Sequence, residues 1–419
     1  MSGSRNPRSG AGPREPRDRS PLAGVPLAAT LSILGLLVIG VVTYALGTGD
    51  LPLTGSANNP GSTDEPAVQR TPTPEGVVVV PTAPPVEVAA PIPGTFVYVK
   101  DGNVWLQSDG KAQQLTKGGN DSMPTFSPDG RKVYFIRERE ADGRWGVGGV
   151  VRKYKLSVPA LMSIPTDGGK ATRVLDGLVD GPGNWRWNAF LRNPDVSPSG
   201  RYVAVVSELP DPTHSDVTLK IWDTKRDRLI DPKLSEVAPL GHQDPEWRPD
   251  GKKLVYVRND RDGAKGTPRL YSYDMATEKA KSLTGPGYLQ PSYSPDGKYI
   301  VATKTSAFGT DVVILNASNG SELARITDDG DSWAPVWSPN GDQIAYLHVS
   351  GELVDLRLVQ LEGAGPTWTV KEPVDLTSNA GLDGASQPDW FVPEDQRLAP
   401  ATAEPEPDLE ASPSASTAP

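Results

Sequence analysis

The chain has 419 residues, a formal charge of −10 and no cysteine. The lack of thiols excludes disulfides, thiolate metal sites, a cysteine nucleophile and a lipid-modified cysteine anchor, and the acidic balance excludes the basic face that nucleic-acid binding requires. Its 43 glycines and 43 prolines predict many turns, together with stretches that carry no packed structure.

Residues 1–21 form a basic tail with Arg5, Arg8, Arg14, Arg17 and Arg19 against only Glu15 and Asp18. Residues 22–46 carry no charge and are long enough to cross a ~30 Å hydrocarbon layer as one helix. The next basic residue is Arg70, so the positive-inside rule puts the N-terminus in the cytoplasm and everything after the helix outside it. The apolar stretch exceeds the h-region of a cleaved signal and has no A-x-A-like site, so it reads as a single-pass signal anchor. Residues 47–93 follow as a Pro- and Thr-rich linker, with ten prolines between 48 and 93, extended between polyproline II and flexible coil.

From residue 94 a short pattern recurs. It reads Pro124-Thr-Phe126-Ser-Pro-Asp-Gly130, Pro194-Asp-Val196-Ser-Pro-Ser-Gly200, Pro245-Glu-Trp247-Arg-Pro-Asp-Gly251, Pro291-Ser-Tyr293-Ser-Pro-Asp-Gly297 and Pro335-Val-Trp337-Ser-Pro-Asn-Gly341. Each copy predicts a first strand, a tight turn, and a second strand whose apolar run opens after two intervening residues, at Val133, Val203, Leu254, Ile300 and Ile344. Third strands are expected at Leu161–Ile164, Leu219–Trp222, Leu270–Tyr273, Val312–Leu315 and Leu353–Leu358. Fourth strands are expected at Val174-Leu175, Leu229-Ile230, Leu283-Thr284, Ile326-Thr327 and Leu376-Thr377. Residues 94–116 hold a second, third and fourth strand with no first, and Pro388-Asp-Trp390 is a first strand with nothing after it. The last strand therefore completes the first unit, leaving no open edge. The expected fold is an all-β six-bladed propeller of four-stranded antiparallel blades over residues 94–392, followed by an acidic Pro/Ala/Ser tail, 393–419, without fixed structure.

The aromatic-Ser-Pro-Asp-Gly turn and the closing Leu-Thr resemble the TolB-type, WD40-like β-propeller repeat. That resemblance covers roughly residues 94–392. It implies the propeller fold, and it places the chain among translocation-system partners, the non-catalytic domains of prolyl-oligopeptidase-like enzymes, some lyases and bacterial surface proteins, so function has to come from particular residues.

Asp129, Asp250 and Asp296 sit where tight turns need Asp or Asn before Gly, and the aromatics Phe126, Trp247, Tyr293, Trp337 and Trp390 recur once per blade as packing. Departures from the repeat are more informative. Successive pattern positions lie 70, 51, 46, 44 and 53 residues apart, so blade two carries about twenty extra residues, at 139–159 and 176–193. In a meander both insertions rise from one rim, opposite the Pro-Asp-Gly turns. They hold Arg144, Trp145, Arg152, Tyr154, Trp185, Arg186 and Trp187, residue types that dominate binding hot spots. The alternative reading is that these aromatics only pin the loops down.

On the same rim the residues before each pattern proline, Met123, Asn193, Asp244, Gln290, Ala334 and Gln387, are expected to line the channel mouth, with His242 nearby. They suit hydrogen bonding to a peptide or sugar, or plain solvation of a wet channel. His214, His242 and His348 have no metal-ligand spacing, and no nucleophile elbow, P-loop or dinucleotide fingerprint occurs. No cofactor is expected. The chain reads as a non-catalytic binding or scaffold module for a protein or a cell-envelope polymer; the alternative is a glycan-acting lyase or hydrolase using His242 and Asp244.

Overall fold

In a computed structural model, which describes residues 92–397 other than 148, 182–183, 213–215, 233, 235–240, 260–266 and 364, the chain forms six antiparallel sheets. The expected anchor at 22–46, the basic tail, residues 47–91 of the linker, the tail beyond Arg397 and His214 lie outside the described residues. Among the described residues no helix is long and apolar enough to cross a membrane.

Blade one holds β1 (Thr95–Lys100), β2 (Asn103–Ser108) and β3 (Lys111–Gln114). Blade two holds β4 (Asp121–Phe126), β5 (Lys132–Val147), β6 (Val150–Pro165) and β7 (Thr172–Asp176), and adds β8 (Leu178–Gly181) and β9 (Trp185–Asn188). Blade three is β10 (Leu191–Val196), β11 (Tyr202–Ser207), β12 (Thr218–Asp223) and β13 (Arg228–Ile230). Blade four is β14 (His242–Trp247), β15 (Lys253–Asn259), β16 (Pro268–Asp274) and β17 (Lys279–Ser282). Blade five is β18 (Tyr288–Tyr293), β19 (Tyr299–Ser306), β20 (Gly309–Asn316) and β21 (Glu322–Arg325). Blade six is β22 (Ser332–Trp337), β23 (Gln343–Ser350), β24 (Leu353–Glu362) and the short β25 (Thr369–Val370) and β26 (Val374–Asp375). The final strand, β27 (Asp389–Phe391), pairs with β1 through Thr95↔Phe391, Phe96↔Trp390 and Val97↔Asp389, so the ring closes as the half-repeats require.

The turns behave as their residues dictate. Asp129 Oδ1 accepts the Ser127 hydroxyl (2.6 Å) and the N–H of Arg131 (3.1 Å), and the serine bond holds that carboxyl below its ordinary range. The pattern aromatics are buried between blades: Trp247 packs with Tyr202 and Ala204 of blade three and with Leu254 and Tyr256 of blade four. The core is thus six inter-blade seams, and a blade cannot bury its faces alone.

The Leu-Thr pairs differ from expectation. In blades one, four, five and six they follow the fourth strand instead of forming it. Thr116, Thr284, Thr327 and Thr377 each accept, through the hydroxyl, the N–H of the residue (Val104, Leu270, Val312 and Leu356) whose carbonyl takes the N–H of the preceding apolar residue. The pair is a clasp that ties the outer strand's end to the third strand. Apolar composition alone places the leucine inside a strand.

The inner strands of blades two to six each carry their pattern proline at a break in pairing, for example between Arg192 and Asp195 in β10 and between Gln243 and Glu246 in β14. An inner strand is an edge facing the channel, so a residue with no N–H removes an exposed donor without breaking a ladder. The residue before the proline is forced left-handed: Met123 (φ 52°), Asn193 (48°), Asp244 (44°), Gln290 (48°) and Ala334 (51°). For residues other than glycine this costs roughly 1–3 kcal/mol each and persists only where neighbours over-determine it.

Candidate functional site

Those neighbours are one another. Asn193 Nδ2 donates to Asp244 Oδ1 (2.8 Å), Asp244 Oδ2 accepts the N–H of Gln290 (3.1 Å), and Gln290 Oε1 accepts the N–H of Ala334 (3.1 Å). Gln387 Nε2 donates to the carbonyl of Pro335 (2.7 Å). Asn193, Asp244 and Gln387 line the central cavity, and together with Gln290 they form a belt running from blade to blade. Enclosure raises the Asp244 carboxyl to about 6, with the Gln290 N–H and Arg192 working against it.

His242 is not at the mouth. It is fully buried in blade four, its Nδ1 accepts the N–H of Leu219 (2.9 Å), its ring lies 4.6 Å from that of Tyr256, and Nε2 has no hydrogen-bond partner among the described residues. In a strand with a bulge, a position three residues before the proline turns into the blade. His242 and Asp244 are therefore engaged separately and form no catalytic pair. Among the described residues no group of three or more His, Asp or Glu side chains is placed to hold a metal ion.

Sequence reasoning overlooked the channel's second tier. The residue after the pattern proline faces the channel, and Asp195, Glu246 and Asp389 line a cavity of about 100 Å³ there. Each accepts the N–H of the next blade's aromatic: Asp195 from Trp247 (2.5 Å), Glu246 from Tyr293 (3.4 Å), Asp389 from Phe126 (2.7 Å). The signal was available in the repeat itself, since an inner-edge strand exposes alternate residues to the channel. Enclosure raises all three carboxyls, and mutual repulsion adds to this for Asp195 and Glu246.

A folded-state value above the unfolded one means that stability is greatest below the unfolded value and falls as pH rises through the folded one. Glu246→Gln keeps an oxygen for the Tyr293 N–H and removes the charge. It is expected to stabilise the protein by about 1–3 kcal/mol at pH 7 and by much less at pH 4.5; denaturant titrations at both values check this, and an equal gain at both would count against the carboxylate as the cause.

The blade-two insertions are strands, not loops. β5 and β6 pair along their whole length from Lys132↔Pro165 to Val147↔Val150, and the β8–β9 hairpin adds to β5 at Arg144↔Arg186. Alternation sorts the side chains. One face carries Trp145, Arg152, Tyr154, Trp185 and Trp187, with Trp145 5.6 Å from both Trp185 and Trp187, and Tyr154 edge-on to Trp187 at 5.4 Å. Trp185 lies across Gly181, where a Cβ would come within 1.8 Å of the indole, so the glycine is what allows the ring to fold inward.

The other face is charged. Arg186 forms a two-bond pair with Asp180 (2.7 and 2.8 Å), Arg144 reaches the same carboxylate at 3.6 Å, and Lys155 bridges Asp142 (2.8 Å) and Glu140 (3.2 Å). The structure thus brings the four aromatics together, half-buried on one another, and pairs Arg144 and Arg186. Arg152 is exposed with no ion pair among the described residues, beside Val150 and Val151, which are 61% and 56% exposed at the hairpin tip.

Residues 188–372 match the family model described as the TolB beta propeller domain. The Tol-Pal system protein TolB of Francisella tularensis subsp. tularensis is 25% identical over 249 residues, covering 58% of this chain and 49% of the relative. A protein of Agrobacterium fabrum, Atu1656, is 30% identical over 156 residues, 34% of this chain and 49% of its own. The chain spans about half the length of the curated relatives it matches. The crystal structure of TolB from Acinetobacter baumannii superposes with a TM-score of 0.50 at 16% identity, covering 71% of this chain and 66% of that one; at this identity the likeness is one of fold.

Proposed function

We propose that this chain, whose propeller is of the TolB type, is a non-catalytic binding module of the cell envelope, held to the membrane by residues 22–46 and engaging a protein or envelope polymer through the blade-two extension. The observation that carries this reading is that extension. It departs from the repeat, it stands on a rigid ring, and it ends in an apolar tip beside Arg152, a cation with no ion pair among the described residues. The anchor and linker fit the positions of the ends: Gly94 lies against Phe391 and Val392, at the place of the missing sixth turn, on the rim opposite the extension. The TolB relative's name assigns it to the Tol-Pal system, which accords with a protein partner.

The four aromatics hold the extension's shape, and the tip makes the contact. Val150→Ser with Val151→Ser and Arg152→Glu is expected to lower retention of envelope partners by the full chain at least tenfold, as loss of a small hot spot does, with an unchanged melting temperature. Retention equal to the parent's, in a folded protein, would remove this face from consideration.

A further inference from the structure

On the opposite rim, between blades four and five, lies a cleft of about 410 Å³, a size typical of small-molecule sites. Four of the five complete turn copies have a serine after the pattern aromatic, Ser127, Ser197, Ser294 and Ser338, and its hydroxyl caps the turn, as where the N–H groups of Lys132 and Tyr299 bond to Ser127 and Ser294. Blade four alone has Arg248. Its turn keeps the same backbone bonds, the N–H of Arg248 to the carbonyl of Lys253 and the N–H of Gly251 to the carbonyl of Arg248, so the turn does not need the guanidinium. That side chain instead leaves the turn and crosses the cleft over Gly297 of blade five, where a Cβ would fall 2.8 Å from Nε. Nε is buried without a hydrogen-bond partner among the described residues, and Nη1 reaches Asp250 only at 3.4 Å.

Three more cations border the cleft. Lys253 and Lys298 are matched by Asp274 (3.5 Å) and Asp296 (3.2 Å). Lys281 is exposed, has no ion pair among the described residues, and stands across the ladder from Ser272. Tyr293, 7% exposed, also lines the cleft, and its hydroxyl makes no hydrogen bond among the described residues.

We infer that this cleft binds a small organic oxyanion, its phosphate or carboxylate held by Arg248 and Lys281 and its polar body hydrogen-bonded by Tyr293. The site is separate from the blade-two extension and does not depend on the reading given for it.

The test is calorimetric titration of the full chain with glucose 6-phosphate, glucuronate and glucose. At least one of the two anions is expected to bind saturably, and neutral glucose is not. Arg248→Ser, which restores the residue of the other complete copies, is expected to weaken binding at least tenfold, the loss typical of one charge-assisted contact. Tyr293→Phe, which keeps the ring, is expected to weaken it about threefold to tenfold. Melting temperatures within a degree or so of the parent would show that both variants fold. Absence of saturable binding by either anion, or binding by both variants equal to the parent's, overturns the assignment.

Discussion

Replacing Trp390 with alanine is expected to remove about 3–5 kcal/mol of stability, the range for deleting a buried indole. Trp390 is 4% exposed, its ring centroid lies 4.3 Å from that of Phe96, and Nε1 donates to the carbonyl of Pro93 (2.9 Å). It also belongs to β27, which pairs with β1 at three residues and so joins the first blade to the last strand of the propeller. A domain's net stability is typically 5–15 kcal/mol, so the variant should unfold at a markedly lower denaturant midpoint. Trp390→Phe keeps the ring contact and loses the hydrogen bond, and should recover most of the loss. Trp185→Ala, in the blade-two extension, should shift the midpoint far less. A Trp390→Ala midpoint within 1 kcal/mol of the parent's would mean that the ring is held closed by something other than this strand.

The second large effect is acid sensitivity centred on His242. Burial, helped by the charges of Arg258 and Lys220, lowers its titration from the ordinary 6.5 to about 3. The folded protein therefore keeps the ring neutral while the unfolded chain takes up a proton below 6.5. Its contribution is complete above that value and is lost as pH falls toward 3, at about 1.4 kcal/mol per pH unit. The opposite trend comes from Glu208, raised by burial to about 7, from Asp244, raised to about 6, and from the channel carboxyls. The histidine must be isolated by difference. His242→Asn keeps an acceptor for the Leu219 N–H and does not titrate. Relative to this variant, the parent should lose about 3 kcal/mol between pH 7 and pH 4.5. A difference that does not change with pH would show that the ring is not held neutral.

The repeat was legible because its turns and packing residues are local. Pro-Asp-Gly demands one backbone path, and an apolar run two residues later has only one core to enter. The closing strand followed from counting what residues 94–116 lacked. Blade two was misread as loops because β5 and β6 beyond the ring are held by cross-strand pairs such as Lys155 with Asp142 and Glu140, which leave no apolar alternation to detect. His242 was misplaced because its orientation depends on the bulge before Pro245, and a shift of one residue turns a side chain from channel to core. The channel acids escaped notice because a carboxylate in a strand reads as a solvated position when its strand is not known to be innermost. Arg248 stood in plain view as an exception to a serine, but its meaning rests on the approach of Gly297 from the next blade.

Ring closure has a further consequence for synthesis. The inner strand of blade one is the last of the propeller's strands that the ribosome makes, so blade one waits, with Phe96 uncovered on that side, until Trp390 emerges nearly three hundred residues later. Blades two to six are complete before then. The nascent chain therefore carries blade one without its inner strand through about two thirds of translation, and the final three-residue strand that completes it is also the signal that the ring is whole.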